Sequence, residues 1–324
     1  MIGNTSLMSI CIPVYNGGMY IQDTLFCICN QTYCNIEIIV VNDGSTDDTL
    51  FKIAGINDDR IKTITVKNGG AASARNMAYK NSSGAYIIFF DADDLVEENF
   101  IATQIECLSN DLNSVVLSPW SRFYSKPNLS TSIDIDIIPK DMLFKKWIIN
   151  YWSIDKHTTP PGRVLIPRIL IEKAGLWDEA LSLNDDLEFF TRIFSVANKI
   201  RYNKSSRFFY RSDVNGLSSI KGETAAESHL KSIEQSITIA LKIFPDDKDI
   251  SISCSGLLQG FIYKYYPLYP KLRLQALTRI KILGKSELKF ECGGKTAVLV
   301  KIFGWKITRR IKYLGEAFSL KEGF

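Results

Sequence analysis

Three carboxylates, Asp91, Asp93 and Asp94, close the apolar run of GAYIIFFDADD, residues 84–94. In an extended chain the side chains at i and i+2 point the same way, so Asp91 and Asp93 are expected to face one space. Two carboxylates held close repel each other unless a cation lies between them. Hard divalent ions prefer carboxylate and phosphate oxygen, and a metal held by one or two carboxylates and completed by a diphosphate fits this pattern. Asp91 and Asp93 are therefore the candidate metal ligands. The competing reading is structural: Asp93 or Asp94 caps a helix that begins near Leu95.

Three further polar clusters follow short apolar runs: Pro13-Val14-Tyr15-Asn16, Asn42-Asp43-Gly44-Ser45 and Asn68-Gly69-Gly70. In an open parallel sheet, ligands collect beyond the carboxyl ends of the strands, so these clusters and Asp91-Ala92-Asp93-Asp94 together mark a binding edge. Asp43 can accept hydrogen bonds from a base or a sugar, or form an Asx-turn ahead of the next helix. Gly69 and Gly70 let backbone approach a ligand closely. Arg75 suits phosphate oxygens, or is a solvated arginine on a helix. The glycines match neither a P-loop nor GxGxxG. A second acidic cluster lies in SLNDDLEFF, residues 182–190. Asp185 and Glu188 have capping-box spacing, which leaves Asp186 in the first helical turn as a candidate general base.

The elements that must position these residues follow from hydrophobic periodicity. Residues 7–15, 36–43, 61–66 and 85–90 read as buried strands, rich in β-branched and apolar residues. Residues 19–31, 45–56, 71–84 and 95–108 read as helices; Ser45 stands as the cap of the second and Gly84 as the stop of the third. Strand and helix alternate, which predicts βαβ units and a largely parallel sheet. Residues 114–124 read as one further strand, and 126–140 as a surface loop with extended pieces. Helices are predicted at 168–175 and 185–197, strands at KIRYN and 207–211, and a nearly all-helical region over 222–283.

The bulk composition excludes several classes. The chain has 324 residues, 46% hydrophobic and 23% charged, with a net charge of +4, too mild for the dense basic face of a nucleic-acid binder. Seven cysteines form no CxxC pair and read as free thiols in a reducing cytosol. No basic n-region with a long apolar h-region opens the chain, and no run approaches the roughly 18 apolar residues of a membrane span. These features predict a cytoplasmic protein. His157 and His229 are too few and too scattered for a dedicated metal site. The tail over 295–313 carries six basic residues and no acid, mixed with Val298, Ile302, Trp305 and Ile307. That composition fits a helix lying in a membrane interface, or a helix packed on its own domain.

Taken in order, SICIPVYNGGMYIQDTL, QTYCNIEIIVVNDGSTDDT, NGGAASARN, FFDADD, IEKAGLWDEALSLNDDLEFFTRIF and FYR resemble the family 2 glycosyltransferases over residues 7–215. The resemblance implies a GT-A fold: an α/β, Rossmann-like, mostly parallel sheet flanked by helices. With the helical pattern read beyond 222, it divides the chain into a nucleotide-sugar-binding and catalytic domain at 1–220 and a helical C-terminal region with the basic amphipathic tail at 221–324. It implies a nucleotide-sugar donor, UDP first with GDP and dTDP open, and inversion at the anomeric carbon. Pro13, Val14, Tyr15 and Asp43 would then line the nucleoside pocket, and Arg75 would lie near the diphosphate. Asp91 would approach the ribose or metal, Asp93 would bind Mn²⁺ or Mg²⁺, and Asp186 would be the general base. Asp185 stands where the family has Glu. Asn16, Gly69, Gly70 and Ala92 complete the donor-binding set from the clusters above. The acceptor would be a glycan or a lipid-linked hydroxyl in surface polysaccharide synthesis, met at the inner face of the membrane.

Two other readings compete. One is a non-catalytic nucleotide-sugar-binding or assembly partner that keeps the fold; intact Asp91, Asp93 and Asp186 oppose it. The other is a nucleotidyltransferase, which would need a basic residue in the first strand–helix loop, and PVYNGGMY has none.

Overall fold

The computed structural model describes residues 6–124, 138–212 and 222–319. The chain forms two compact units: Met1–Lys146 with Thr158–Ile220, and Trp147–His157 with Lys221–Phe324. Residues 147–157, read from sequence with the first domain, thus belong with the C-terminal helices.

The first unit is built on β1 (Met8–Val14), β2 (Ile36–Asn42), β3 (Ile61–Thr65) and β4 (Tyr86–Phe89), all mutually parallel where they pair. The helices α1 (Ile21–Cys29), α2 (Thr49–Ala54) and α3 (Ala71–Lys80) connect them. Every residue of β1 and β4 is buried, as expected of parallel strands covered on both faces. The sheet continues through β6 (Ser114–Leu117), β8 (Val164–Pro167) and β9 (Lys199–Tyr202), in the order β3-β2-β1-β4-β8-β6-β9. The chain runs outward from β1 to β3 and then returns to place β4 on the other side of β1. That reversal makes the β1/β4 boundary the switch point of the sheet, the place beyond whose strand ends ligands collect in open α/β folds.

A second, three-stranded sheet joins β5 (Leu95–Val96), β10 (Phe208–Arg211) and β7 (Trp120–Phe123). It changes two expectations. Residues 114–124 are two strands in two sheets rather than one. Residues 95–108 are not one helix: Leu95–Val96 pairs antiparallel with β10, and α4 (Phe100–Leu108) begins only at Phe100. The apolar pair at 95–96 is taken by the sheet, and Asn99 holds the N-cap position of α4. Neither Asp93 nor Asp94 is a cap. Likewise α2 starts at Thr49, because Ser45 is engaged elsewhere, and α3 ends at Lys80, before Gly84. Gly84 instead lies against Ser9 and the Leu7 carbonyl, with no room for a Cβ. The expected loop at 126–140 lies outside the described residues over 125–137. The short α5 (Phe144–Trp147), α6 (Arg168–Ala174) and α7 (Asp185–Val196) are the other α-helices up to residue 196, with a π-helical turn at Ile148–Trp152 and a 3₁₀ turn at Pro161–Arg163.

The second unit contains α8 (Glu223–Ile243), α9 (Lys248–Tyr265), α10 (Pro270–Leu283) and α11 (Gly294–Ser319). Asp247 caps α9 by accepting from the Asp249 and Ile250 amides at 3.1 and 3.2 Å. Gly256 and Gly260 on α9 meet the Trp152–Ser153 backbone and the Asp155 carboxylate so closely that any side chain would overlap them. His229 is buried on α8, its Nδ1 3.1 Å from the Tyr265 hydroxyl and 3.4 Å from Lys264 Nζ. Both neighbours can donate, so Nδ1 acts as the acceptor of a neutral imidazole. Burial, then the charges of Lys264 and His157, hold the His229 pKa well below the usual histidine value.

A histidine kept neutral in the folded state stabilises it above the unfolded pKa, and that stability is lost as pH falls. Relative to a variant without this imidazole, the wild type is expected to lose stability as pH falls from about 6.5 toward 5, by up to about 1.4 kcal/mol per pH unit for this single proton. His229→Gln, the variant for that comparison, is expected to lack this loss. Urea unfolding at several pH values checks this, and parallel profiles for the two proteins would contradict it.

Candidate active site

The loops beyond β1, β2 and β3 are tied to one another. Asn16, at φ 50°, receives the Thr46 amide on its Oδ1 at 2.8 Å, and its own amide donates to Ser45 Oγ at 2.9 Å. The Gly18 amide donates to Asp47 at 3.1 Å. Asp43 is buried, and its two carboxylate oxygens accept the amides of Gly69 and Gly70 at 2.8 and 2.9 Å. Asn68 Nδ2 donates to the Asp43 carbonyl at 2.9 Å. Gly44 bends at φ 76° directly against Asn68, which requires glycine. The Asx-type turn expected of Asp43 is made by Asn42, whose Oδ1 accepts the Ser45 amide at 3.1 Å. Asp43 instead clamps the glycine pair that opens α3. Pro13 and Val14 lie buried within β1, while the Tyr15 ring is 54% exposed beyond its end.

Arg75 is buried on α3, and it is not a solvated arginine. Its Nη2 donates to Asp91 at 2.8 Å and its Nη1 to Asp185 at 2.9 Å. The guanidinium lies 4.5 Å from the Trp177 ring, which stacks on Phe189 with centroids 4.0 Å apart. Burial works against the Arg75 charge, but Asp91, Asp185 and Asp186 raise its pKa overall. Asp185 is pushed upward by burial, with Arg75 opposing. Asp185 does not form the capping box its spacing suggested. Asn184, at φ 62°, holds the N-cap position, and Glu188 binds Arg192 at 2.6 and 2.8 Å. Asp186 follows in the first turn of α7, its amide donating to Asp185 Oδ1 at 3.1 Å.

Asp91–Asp94 form a turn and not an extended segment, with the Asp94 amide 3.3 Å from the Asp91 carbonyl. Asp91 and Asp93 are therefore close through the turn rather than through strand alternation. Burial and then the charge of Asp91 push the Asp93 carboxyl up to about 7, against the pull of Arg211. Asp94 is fully buried; its Oδ1 accepts the Arg211 amide at 2.8 Å, and its Oδ2 has no partner among the described residues. Burial, then Asp93 and Asp91, hold its pKa well above the ordinary range. Arg211 Nε donates to the Asp93 carbonyl at 2.7 Å, with its guanidinium within 4.6 Å of the Tyr20 ring and 4.5 Å of the Phe123 ring.

Asp91 and Asp93 are the two carboxylates that could hold a hard divalent cation, since burial and the charge of Asp91 push the Asp93 carboxyl up even with Arg211 nearby. Among the described residues no three His, Cys, Asp or Glu side chains form a group that could hold a metal ion. His157 belongs to the second unit, 3.3 Å from Asp155. Ala92 lies in the acidic turn, partly exposed.

Three residues of the site were not singled out from sequence. Asn76 exchanges hydrogen bonds with the Trp177 backbone at 2.9 and 3.0 Å and donates to Glu179 at 2.9 Å. Trp177 carries Arg75 on its face. Arg211 braces the acidic turn. Each stands inside a motif quoted above, but their partners are about a hundred residues away in the chain for Asn76 and Arg211.

Residues 9–174, about half of the chain, match Glycosyl transferase family 2. The chain belongs to that family. An uncharacterised glycosyltransferase of Rickettsia prowazekii is 35% identical over 206 residues, 59% of this chain and 60% of that protein. EpsJ, an uncharacterised glycosyltransferase of Bacillus subtilis, is 30% identical over 234 residues, 69% and 67% of the two chains. The chain thus spans about 60% of the Rickettsia relative's length. Among solved structures, residues 1–349 of S. aureus TarS with UDP-GlcNAc superpose with a TM-score of 0.68 at 18% identity, covering 86% of this chain and 82% of that one. The family 2 glycosyltransferase therefore has the GT-A fold, with its α/β sheet and helical C-terminal region.

In this family 2 protein Arg75→Ala is expected to cost about 3 kcal/mol or more, because Asp91 and Asp185 lose their shared counter-charge in a buried setting. Arg75→Lys is expected to cost less but still measurably, since an ammonium lacks the fork that reaches both acids. Urea unfolding of both variants checks the order; an Ala variant as stable as wild type would contradict it.

Proposed function

We propose that the chain transfers a sugar from a nucleotide-sugar, with UDP as the nucleotide, to a hydroxyl of a glycan or lipid-linked acceptor in surface polysaccharide synthesis. The transferred group is a hexosyl or N-acetylhexosaminyl unit, and the anomeric centre inverts. The observation that carries this reading is the Arg75 bridge, which holds Asp91 at the end of β4 and Asp185 at the start of α7 on one guanidinium, with Asp186 next in the chain. The likeness to TarS, whose structures hold UDP-GlcNAc and UDP, supports the choice of donor.

In this reading the base stacks near Tyr15, with Pro13, Val14 and Asn16 shaping the pocket wall. Asp43 offers its remaining lone pairs to the nucleoside while it fixes Gly69 and Gly70 for close approach of the donor. Arg75 stands near the diphosphate. Asp91 and Asp93, with Ala92 between them, would hold Mn²⁺ or Mg²⁺. When bound, that ion supplies positive charge against the departing diphosphate. Asp186 takes the proton of the acceptor hydroxyl as its oxygen attacks the anomeric carbon. The bond from that carbon to the diphosphate breaks, and its electron pair leaves with the nucleoside diphosphate. One base and one displacement give inversion, with no covalent intermediate. The protein acts in the cytoplasm, at the inner face of the membrane, with the 295–313 segment as its peripheral contact.

A thermal-shift panel of UDP, GDP, dTDP and CDP, each with and without Mn²⁺, tests the donor. Ligand that binds only the native state must raise Tm. UDP with Mn²⁺ is expected to give the largest rise, and Asp93→Asn to abolish the Mn²⁺-dependent part. No rise with any nucleotide on folded protein would favour a non-catalytic module. Asp186→Asn is expected to keep the UDP shift while UDP release from UDP-GlcNAc falls about 10²–10⁴-fold. Turnover near wild type would remove Asp186 as the base.

A further inference from the structure

We infer that the outward face of α11 docks on an anionic lipid bilayer, lying in its interface with Ile307, Ile311 and Leu314 turned toward the acyl region. This deepens the peripheral-membrane part of the function proposed above and rests on that reading. Within α11 the backbone kinks at Gly304, φ 74° and ψ 160°. Beyond the kink one face packs within its own unit. Trp305 meets Tyr263, Tyr266 and Phe290 at centroid distances of 4.8, 5.1 and 5.8 Å, Thr308 is fully buried, and Arg309 donates to the Lys264 carbonyl at 2.9 Å. Trp305, expected from sequence among the residues of a membrane-facing stripe, is thus turned inward.

The opposite face is apolar as well. Ile307, Ile311 and Leu314 are spaced i, i+4 and i+7, and they are 48%, 48% and 55% exposed. Before the kink, Val298 and Ile302 repeat the i, i+4 spacing at 58% and 64% exposure. A helix whose inward face is already satisfied has no folding reason to carry a second apolar stripe, and such a stripe marks an interaction surface. Its flanks identify the partner. Lys295, Lys301, Lys306, Arg310 and Lys312 are exposed around it, and no acid occurs between 294 and 314. Over 270–314 there are twelve Lys or Arg against two Glu, an excess of ten in a chain whose whole net charge is +4. The remainder is therefore net acidic, and the positive charge is segregated onto this region. An apolar stripe bordered only by cations complements a surface that is anionic outside and apolar beneath, which is a bilayer with acidic headgroups. Among the described residues no helix is long and apolar enough to cross a membrane, so α11 is placed in the interface plane.

Co-sedimentation of the full chain with vesicles tests this. Wild type is expected to pellet with vesicles containing phosphatidylglycerol, weakly with pure phosphatidylcholine, and less as salt rises. The triple variant Ile307→Gln, Ile311→Gln, Leu314→Gln keeps helix-forming residues and is expected to bind at least about tenfold more weakly, with Tm unchanged. The double variant Lys306→Glu, Arg310→Glu is expected to lose the preference for anionic vesicles. Equal pelleting of the triple variant, or no pelleting of wild type, would overturn the inference. So would sedimentation velocity showing that this stripe pairs two copies of the chain without vesicle binding. The UDP thermal shift is read on the same proteins. A retained shift without vesicle binding removes only the membrane inference, and vesicle binding without a shift removes only the donor reading.

Discussion

Arg75 is buried, and a buried guanidinium is tolerated only where carboxylates and hydrogen bonds replace its water. Here Asp91 and Asp185 supply both, from the end of β4 and the start of α7, and the Trp177 ring covers the cation's face. The pairing works in both directions. The acids keep the arginine charged, and the arginine fixes two acids that would otherwise repel each other. It also sets where Asp186 stands, since Asp186 follows Asp185 in the same helical turn. Asn76, one residue along α3, holds the Trp177 backbone and so supports the same junction.

The acidic turn stores the opposite tendency. Asp93 and Asp94 are drawn toward their protonated forms by burial and by neighbouring charge, and Arg211 opposes this from β10. Such a turn is costly as a structural feature, because burial and like charge both oppose its ionised form. The clamp made by Asp43 works differently. It uses a buried carboxylate to fix two backbone amides, so the flexible Gly69–Gly70 pair has a defined path before any ligand arrives.

The second unit follows another logic. Its interior is largely aliphatic, with the buried His229 edge-on to Phe261 and Tyr265, and small residues on α9 admit the 147–157 segment at close range. Its last helix satisfies one face inside the unit and leaves the other apolar and bordered by cations. Acidic chemistry is gathered in the first unit and positive charge in the last third of the chain.

The alternation of buried strands and amphipathic helices was legible in the sequence because burial imposes a period, and a period is local. So were the polar clusters, since each stands where an apolar run stops. The motif set also carried the family. What local pattern could not reach was pairing across distance. That Asp43 holds glycines, that Arg75 is shared by Asp91 and Asp185, and that Arg211 braces Asp93 and Asp94 are facts of strand order and helix packing. The same applies to Leu95–Val96, which joins a sheet because β10 offers a partner, and to Trp305, which turns inward because Tyr263, Tyr266 and Phe290 are there. Residue type decided which chemistry was available. The tertiary structure decided which charges meet, because burial and pairing energies depend on neighbours far away in the chain.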